Sequence, residues 1–101
     1  MARELYMLIE HMKDAAAMYA RFWERGRLAP KGVVFVSAWV DKNLERGYRV
    51  VQCDGRQPLD EWMANWSDII DFEVYSVITP EEAGEKVAAR LQQPDSAAAQ
   101  S

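Results

Sequence analysis

Apolar residues recur along this chain in two rhythms, one of period two and one near 3.6. Residues 5–10 (LYMLIE) form a short apolar run with polar flanks, which predicts a strand buried on both faces. At Asp14 the rhythm changes. Ala15, Met18, Tyr19 and Phe22 fall on one stripe of a helix that runs to Arg25. Asp14 supplies its N-cap, and Gly26 follows where a glycine readily takes the left-handed conformation that ends helices. Residues 27–32, with Pro30 and Gly32, read as a loop. Residues 33–41 (VVFVSAWVD) are β-branched and aromatic with no breaker, the clearest strand in the chain. A short polar connection leads to residues 48–53 (YRVVQC), so these two strands predict a hairpin. After the Asp54-Gly55 turn, Pro58 suits a first helical position. Leu59, Trp62, Met63 and Trp66 then give an i, i+3, i+4, i+7 stripe. Residues 71–78 (DFEVYSVI) predict a fourth strand. Thr79, Pro80 and Glu82 then open a third helix with a capping box. That helix reaches about residue 92 with Ala83, Val87 and Leu91 on one side. Residues 93–101 are small and polar and predict a flexible tail.

The order β-α-β-β-α-β-α contains the split βαβ arrangement of a ferredoxin-like α+β fold. Right-handed crossovers place both main helices on one face of a four-stranded antiparallel sheet. Residues 1–92 form one domain, since no repeat or linker divides them. The uncovered face then has to meet water, the third helix or a partner. A solvated face alternates apolar and polar residues. The second strand carries Val33, Phe35, Ser37 and Trp39 on one side and Val34, Val36, Ala38 and Val40 on the other. Both sides are apolar. Such a patch marks an interface, and the expectation is a homodimer through the sheet face, with the third helix as a lid the lesser alternative.

Composition narrows the function classes by exclusion. Half the residues are hydrophobic, enough for a core, and the net charge is −4. Nonspecific nucleic-acid affinity comes from cations on phosphates, so nucleic acid is not expected as a partner. Arg21, Arg25, Arg27 and Lys31 cluster around the end of the first helix, where cations complement the helix dipole or bind an anion. Cys53 is the single cysteine and His11 the single histidine. No internal disulfide can form, and two such ligands are too few for a structural zinc site. No run is long and apolar enough for a membrane span, and the first residues lack the parts of a signal peptide. The expectation is a cytoplasmic protein with no membrane association and no cofactor.

No catalytic or metal signature stands out, so the candidates are individual residues. His11 is the side chain whose ordinary pKa lies near neutrality. Beside Glu10 it could act in acid/base chemistry or bind a haem iron, though a strand-end histidine is more often structural. Trp39, Trp62 and Trp66 could line a flat apolar pocket, the usual form of a small-molecule site. Aromatic stripes at this spacing are more often core. Gln52, flanked by Val50, Val51 and Cys53, needs a hydrogen-bond partner if buried, either a ligand or a protein group. Cys53 reads as a small buried hydrophobe. Asp68, Asp71 and Glu73 read as exposed acids.

Three stretches together resemble a known family: LIEHMK at 8–13, RGRLAPKGVVFVSAWV at 25–40, and VVQCD with LDEWMANWSDIIDFEVYSVIT at 50–54 and 59–79. They are similar to the domain-of-unknown-function family thirty-three-oh-three, small bacterial proteins of the dimeric α+β barrel type. The resemblance covers about residues 5–85. It implies the same fold and a barrel-like dimer, and no activity. The expected function is a small-molecule binding or sensing module taking a small apolar or aromatic ligand. His11, Trp39, Gln52, Trp62 and Trp66 are its pocket candidates. The competing readings are a cofactor-independent monooxygenase or isomerase of the same barrel class, and a purely structural dimer.

Overall fold

A computed structural model of the chain describes residues 4–92. Seven elements follow one another: β1 (Glu4–Met12), α1 (Ala15–Arg25), β2 (Val33–Val40), β3 (Arg46–Cys53), α2 (Gln57–Ala64), β4 (Ile70–Val77) and α3 (Pro80–Leu91). The four strands form one antiparallel sheet in the order β2-β3-β1-β4. This is the ferredoxin-like arrangement, extended by one C-terminal helix. The expected flexible tail at 93–101 lies outside the described residues.

The helix ends follow the local chemistry of the sequence. The Asp14 side chain accepts a hydrogen bond from the Ala17 N–H and caps α1. The Thr79 hydroxyl accepts from the Glu82 N–H and caps α3. Each satisfies a backbone donor that a helix N-terminus would otherwise leave unpaired. Gly26 closes α1 at φ 74°, a conformation that costs a side-chain-bearing residue strain. In the β2–β3 turn the Asp41 carboxylate accepts from the N–H groups of Glu45 and Arg46, which holds its pKa below the usual value.

One side of the sheet carries the core. Tyr6, Leu8, Val51 and Cys53 from the central strands are buried with Leu59, Trp62, Trp66 and Ile70. Met18 of α1 and Val33, Phe35, Phe72 and Val74 of the outer strands pack against them. Both helices thus lie on this face, as expected. Burial pushes the Cys53 thiol above its usual pKa, in line with its reading as a small hydrophobe.

Strand β2 corrects the simple alternation. Phe35 pairs with Val51 and Ser37 pairs with Val50, so Val36 is an extra residue in a β-bulge. One extra residue reverses the period-two phase beyond it. Ala38 and Val40 therefore join Val33 and Phe35 on the helix side. Ser37 and Trp39 join Val34 on the other, where Trp39 pairs with Tyr48. Trp39 is 71 % exposed.

The uncovered face consists of Leu5, Met7, Ile9 and His11 on β1 and Tyr48, Val50 and Gln52 on β3. Arg46 on β3, Val34, Ser37 and Trp39 on β2, and Asp71, Glu73, Tyr75 and Val77 on β4 also belong to it. Helix α3 contributes no buried residue, and its Val87 and Leu91 are 51 % and 59 % exposed. The alternative of α3 as a lid over the open face is not what the fold adopts.

Candidate functional site

The Gly26–Gly32 connection is fixed to α2 by side chains, and this frames a cavity. Trp62 and Trp66 stand one turn apart, so their indoles project in the same direction. Both Nε1–H groups donate to one acceptor, the Arg27 carbonyl, at 3.0 and 2.9 Å. A carbonyl oxygen has two lone pairs and can serve both. The Asn65 side chain donates to the Leu28 carbonyl at 2.9 Å. Leu28 sits at φ 58°, a strained conformation for a residue with a side chain, and these bonds hold the loop in it. Arg21 of α1 donates to the Asn65 carbonyl and, through two nitrogens, to both carboxylate oxygens of Asp68. Helix α1, the loop and the end of α2 are thereby tied together.

Under this frame lies a cavity of about 300 Å³ between the helices and the sheet. That is the lower range of small-ligand pockets. Met18, Tyr19 and Phe22 of α1 form one wall, and Trp62, Trp66 and Ile70 another. Ala38, Trp39 and Val40 border it along the edge strand. The charged residues of the lining are Glu10, Arg27 and Arg49.

Among the described residues Glu10 is the one charged residue that is buried, 3 % exposed. It shares the helix-side phase of β1 with Tyr6 and Leu8. Its partner Arg49 shares the corresponding phase of β3 with Val51 and Cys53. The two are diagonal neighbours across the strand pair, and Arg49 Nε donates to Glu10 Oε2 at 2.9 Å. A buried carboxylate requires such a partner. Gly47 faces Glu10 across the ladder, and a Cβ there would run into the Glu10 carboxylate. The glycine is the space in which that carboxylate sits. The Arg49 guanidinium lies over Phe35 and Trp62, 5.3 and 5.5 Å from the ring centroids, and Arg27 lies over Phe35 at 4.5 Å. Cations over aromatic faces are favourable, more so where water is excluded.

Of the five residues expected to form a pocket, Trp62 and Trp66 wall this cavity, and Trp39 borders it only along the edge strand, since its phase after the bulge puts it on the open face. His11 and Gln52 also have the open-face phase, on the central strands, and do not border the cavity. His11 Nε2 shares a hydrogen bond with Glu73, whose other oxygen accepts from the Tyr75 hydroxyl at 2.6 Å. The Tyr75 bond first and the His11 bond second hold the Glu73 pKa below its usual value. The carboxylate in turn raises that of Tyr75. Gln52 is partly exposed, and its amide has no side-chain partner among the described residues. Glu10 and Arg49 were missed as site residues. The available signal was two charges on the apolar phase of adjacent strands, with a glycine on the same phase. Among the described residues no group of three or more His, Cys, Asp and Glu is placed to hold a metal ion. No helix among them is long and apolar enough to cross a membrane.

The family model Domain of unknown function (DUF3303) matches residues 4–91. The chain belongs to that family. No curated protein and no solved structure matches it.

Proposed function

We propose that this chain is a small-molecule binding module that works as a homodimer, with a small aromatic or apolar ligand held between α1, α2 and the sheet. The observation that carries the reading is the cavity of about 300 Å³, walled by Trp62, Trp66, Tyr19 and Phe22 and floored by the Glu10–Arg49 pair. The hollow is half open to solvent, so a ligand could enter it without unfolding the frame. Few convergent polar groups in an apolar hollow are what a small-molecule site needs. The isomerase reading would make Glu10 a base. Its carboxylate already accepts from Arg49 and no second acid lines the cavity, which favours binding over chemistry.

The dimer reading is supported by the open face. Met7, Val34, Trp39, Tyr48 and Tyr75 stand exposed there as a contiguous apolar surface. Monomers rarely expose such a patch. A second copy would cover it sheet to sheet, and the apolar stripe of α3 would gain a partner. A native mass spectrum of protein purified without added ligand tests both parts. The expected result is a dimer mass that carries a reproducible small adduct. A bare monomer would overturn the proposal.

A further inference from the structure

We infer that the ligand of this cavity is a small aromatic carboxylate, its rings among the tryptophans and its anionic group on Arg49 and Arg27. This inference rests on the binding function proposed above and specifies its chemistry. Three charged residues line the cavity, Glu10, Arg27 and Arg49, and two of them are cations. Glu10 is matched by one hydrogen bond from Arg49 Nε. An arginine carries five N–H donors, so the four on the terminal nitrogens of Arg49 have no protein acceptor among the described residues. Arg27 has no carboxylate partner among them either, although its backbone carbonyl is fully used by the two indoles. The other arginine beside this frame, Arg21, differs in this respect. Its guanidinium is spent on Asp68 and the Asn65 carbonyl. The cavity thus has an excess of positive charge and of donors, on side chains already positioned by Phe35 and Trp62. A planar carboxylate is the group that matches a guanidinium donor for donor.

The walls specify the rest of the ligand. Trp62, Trp66, Tyr19 and Phe22 offer ring faces and edges, which favour a flat aromatic body. A phosphate ester or polyanion fits less well, because the buried Glu10 carboxylate is present at the same floor.

Isothermal titration calorimetry on the full chain, with three probes of one shape, tests the inference. The probes are naphthoate, naphthamide and naphthylmethylammonium. Naphthoate is expected to bind about tenfold or more tighter than naphthamide, from charge-assisted hydrogen bonds. The ammonium probe is expected to bind weakest. Arg27→Gln lies at an exposed position and is expected to fold normally while narrowing the gap between naphthoate and naphthamide several-fold. Arg49→Gln should abolish the gap. Equal affinity for naphthoate and naphthamide, or preference for the ammonium probe, would overturn the anionic specificity while leaving the binding function intact. Absence of binding by all three would overturn both.

Discussion

The two faces of the sheet are built from the same four strands and treat charge in opposite ways. On the covered face the charged pair, Glu10 and Arg49, sits in the middle of the apolar set, buried and diagonal across the central strands. On the open face the charged groups gather at one end. There His11, Arg46, Asp71 and Glu73 lie near the end of β1 and the starts of β3 and β4. The rest of that face is mostly apolar, with Met7, Val34, Trp39, Tyr48 and Tyr75 exposed. Charge in the middle of a core costs stability unless something uses it, whereas charge at a sheet margin stays with water. The contrast is what the proposed function requires: a ligand would meet the charged pair on the covered face, and a second copy would meet the apolar surface on the open one.

The largest expected effect comes from the inner face. Trp62→Ala removes a side chain that is buried, packs edge-on to Phe35 and donates to the Arg27 carbonyl. The cost should be about 3–5 kcal/mol, read as a lower urea midpoint. A loss near that of an exposed position would mean that the cavity wall is not part of the cooperative core.

An intermediate effect tests the outer face. Trp39→Asp alters a side chain that is 71 % exposed, so folding of the isolated chain should change by no more than about 0.5 kcal/mol. Association through the sheet should be lost, because a carboxylate would be buried in the interface. Light scattering on a sizing column checks this. A monomer mass for the variant beside a dimer mass for the parent sharpens the division between faces. An unchanged dimer mass places the interface elsewhere. If the parent dimerises, its urea midpoint should also rise with protein concentration, and that of Trp39→Asp should not.

How much of this was legible before the fold was known differs by feature. The elements were legible because their ends carry local chemistry: Asp14 and Thr79 as caps, Gly26 and Pro58 as punctuation. The pairing of Trp62 with Trp66 was legible from their four-residue spacing. Their common acceptor was not, because the Arg27 carbonyl lies 35 residues from Trp62 in the chain and arrives only through packing. The bulge at Val36 was invisible. No breaker marks it in VVFVSAWV, and it alone moves Trp39 from one face to the other. His11 stands out as the single histidine, and Gln52 as an amide among apolar neighbours on a strand. Period-two phase would have led to Glu10 and Arg49, one position away from the first and three from the second. In a sheet, one position is the difference between the covered side and the open side.

The smallest effect concerns the frame that holds the cavity loop. Arg21 donates to both oxygens of Asp68, and these bonds pull the Asp68 pKa from its usual 3.8 down to about 2. A carboxylate with a depressed folded-state pKa contributes stability that is fully present above its unfolded value. That contribution is lost as pH falls through the folded one. The window here runs from about pH 4 down to about pH 2. Asp68 is well exposed, so water and salt screen the pair and the contribution is small. Arg21→Gln should therefore lower the urea midpoint slightly at about pH 5 and leave it nearly unchanged at about pH 2, where the parent has lost the same bond. Asp41 and Glu73 also have depressed pKa values, but they titrate alike in parent and variant and cancel in the difference. A gap between the two proteins that stays constant across that window would mean that Arg21 acts through its packing over Trp66, 5.4 Å from the ring centroid, rather than through Asp68. The tie between α1 and the cavity loop would then be apolar, and the acid would be incidental to it.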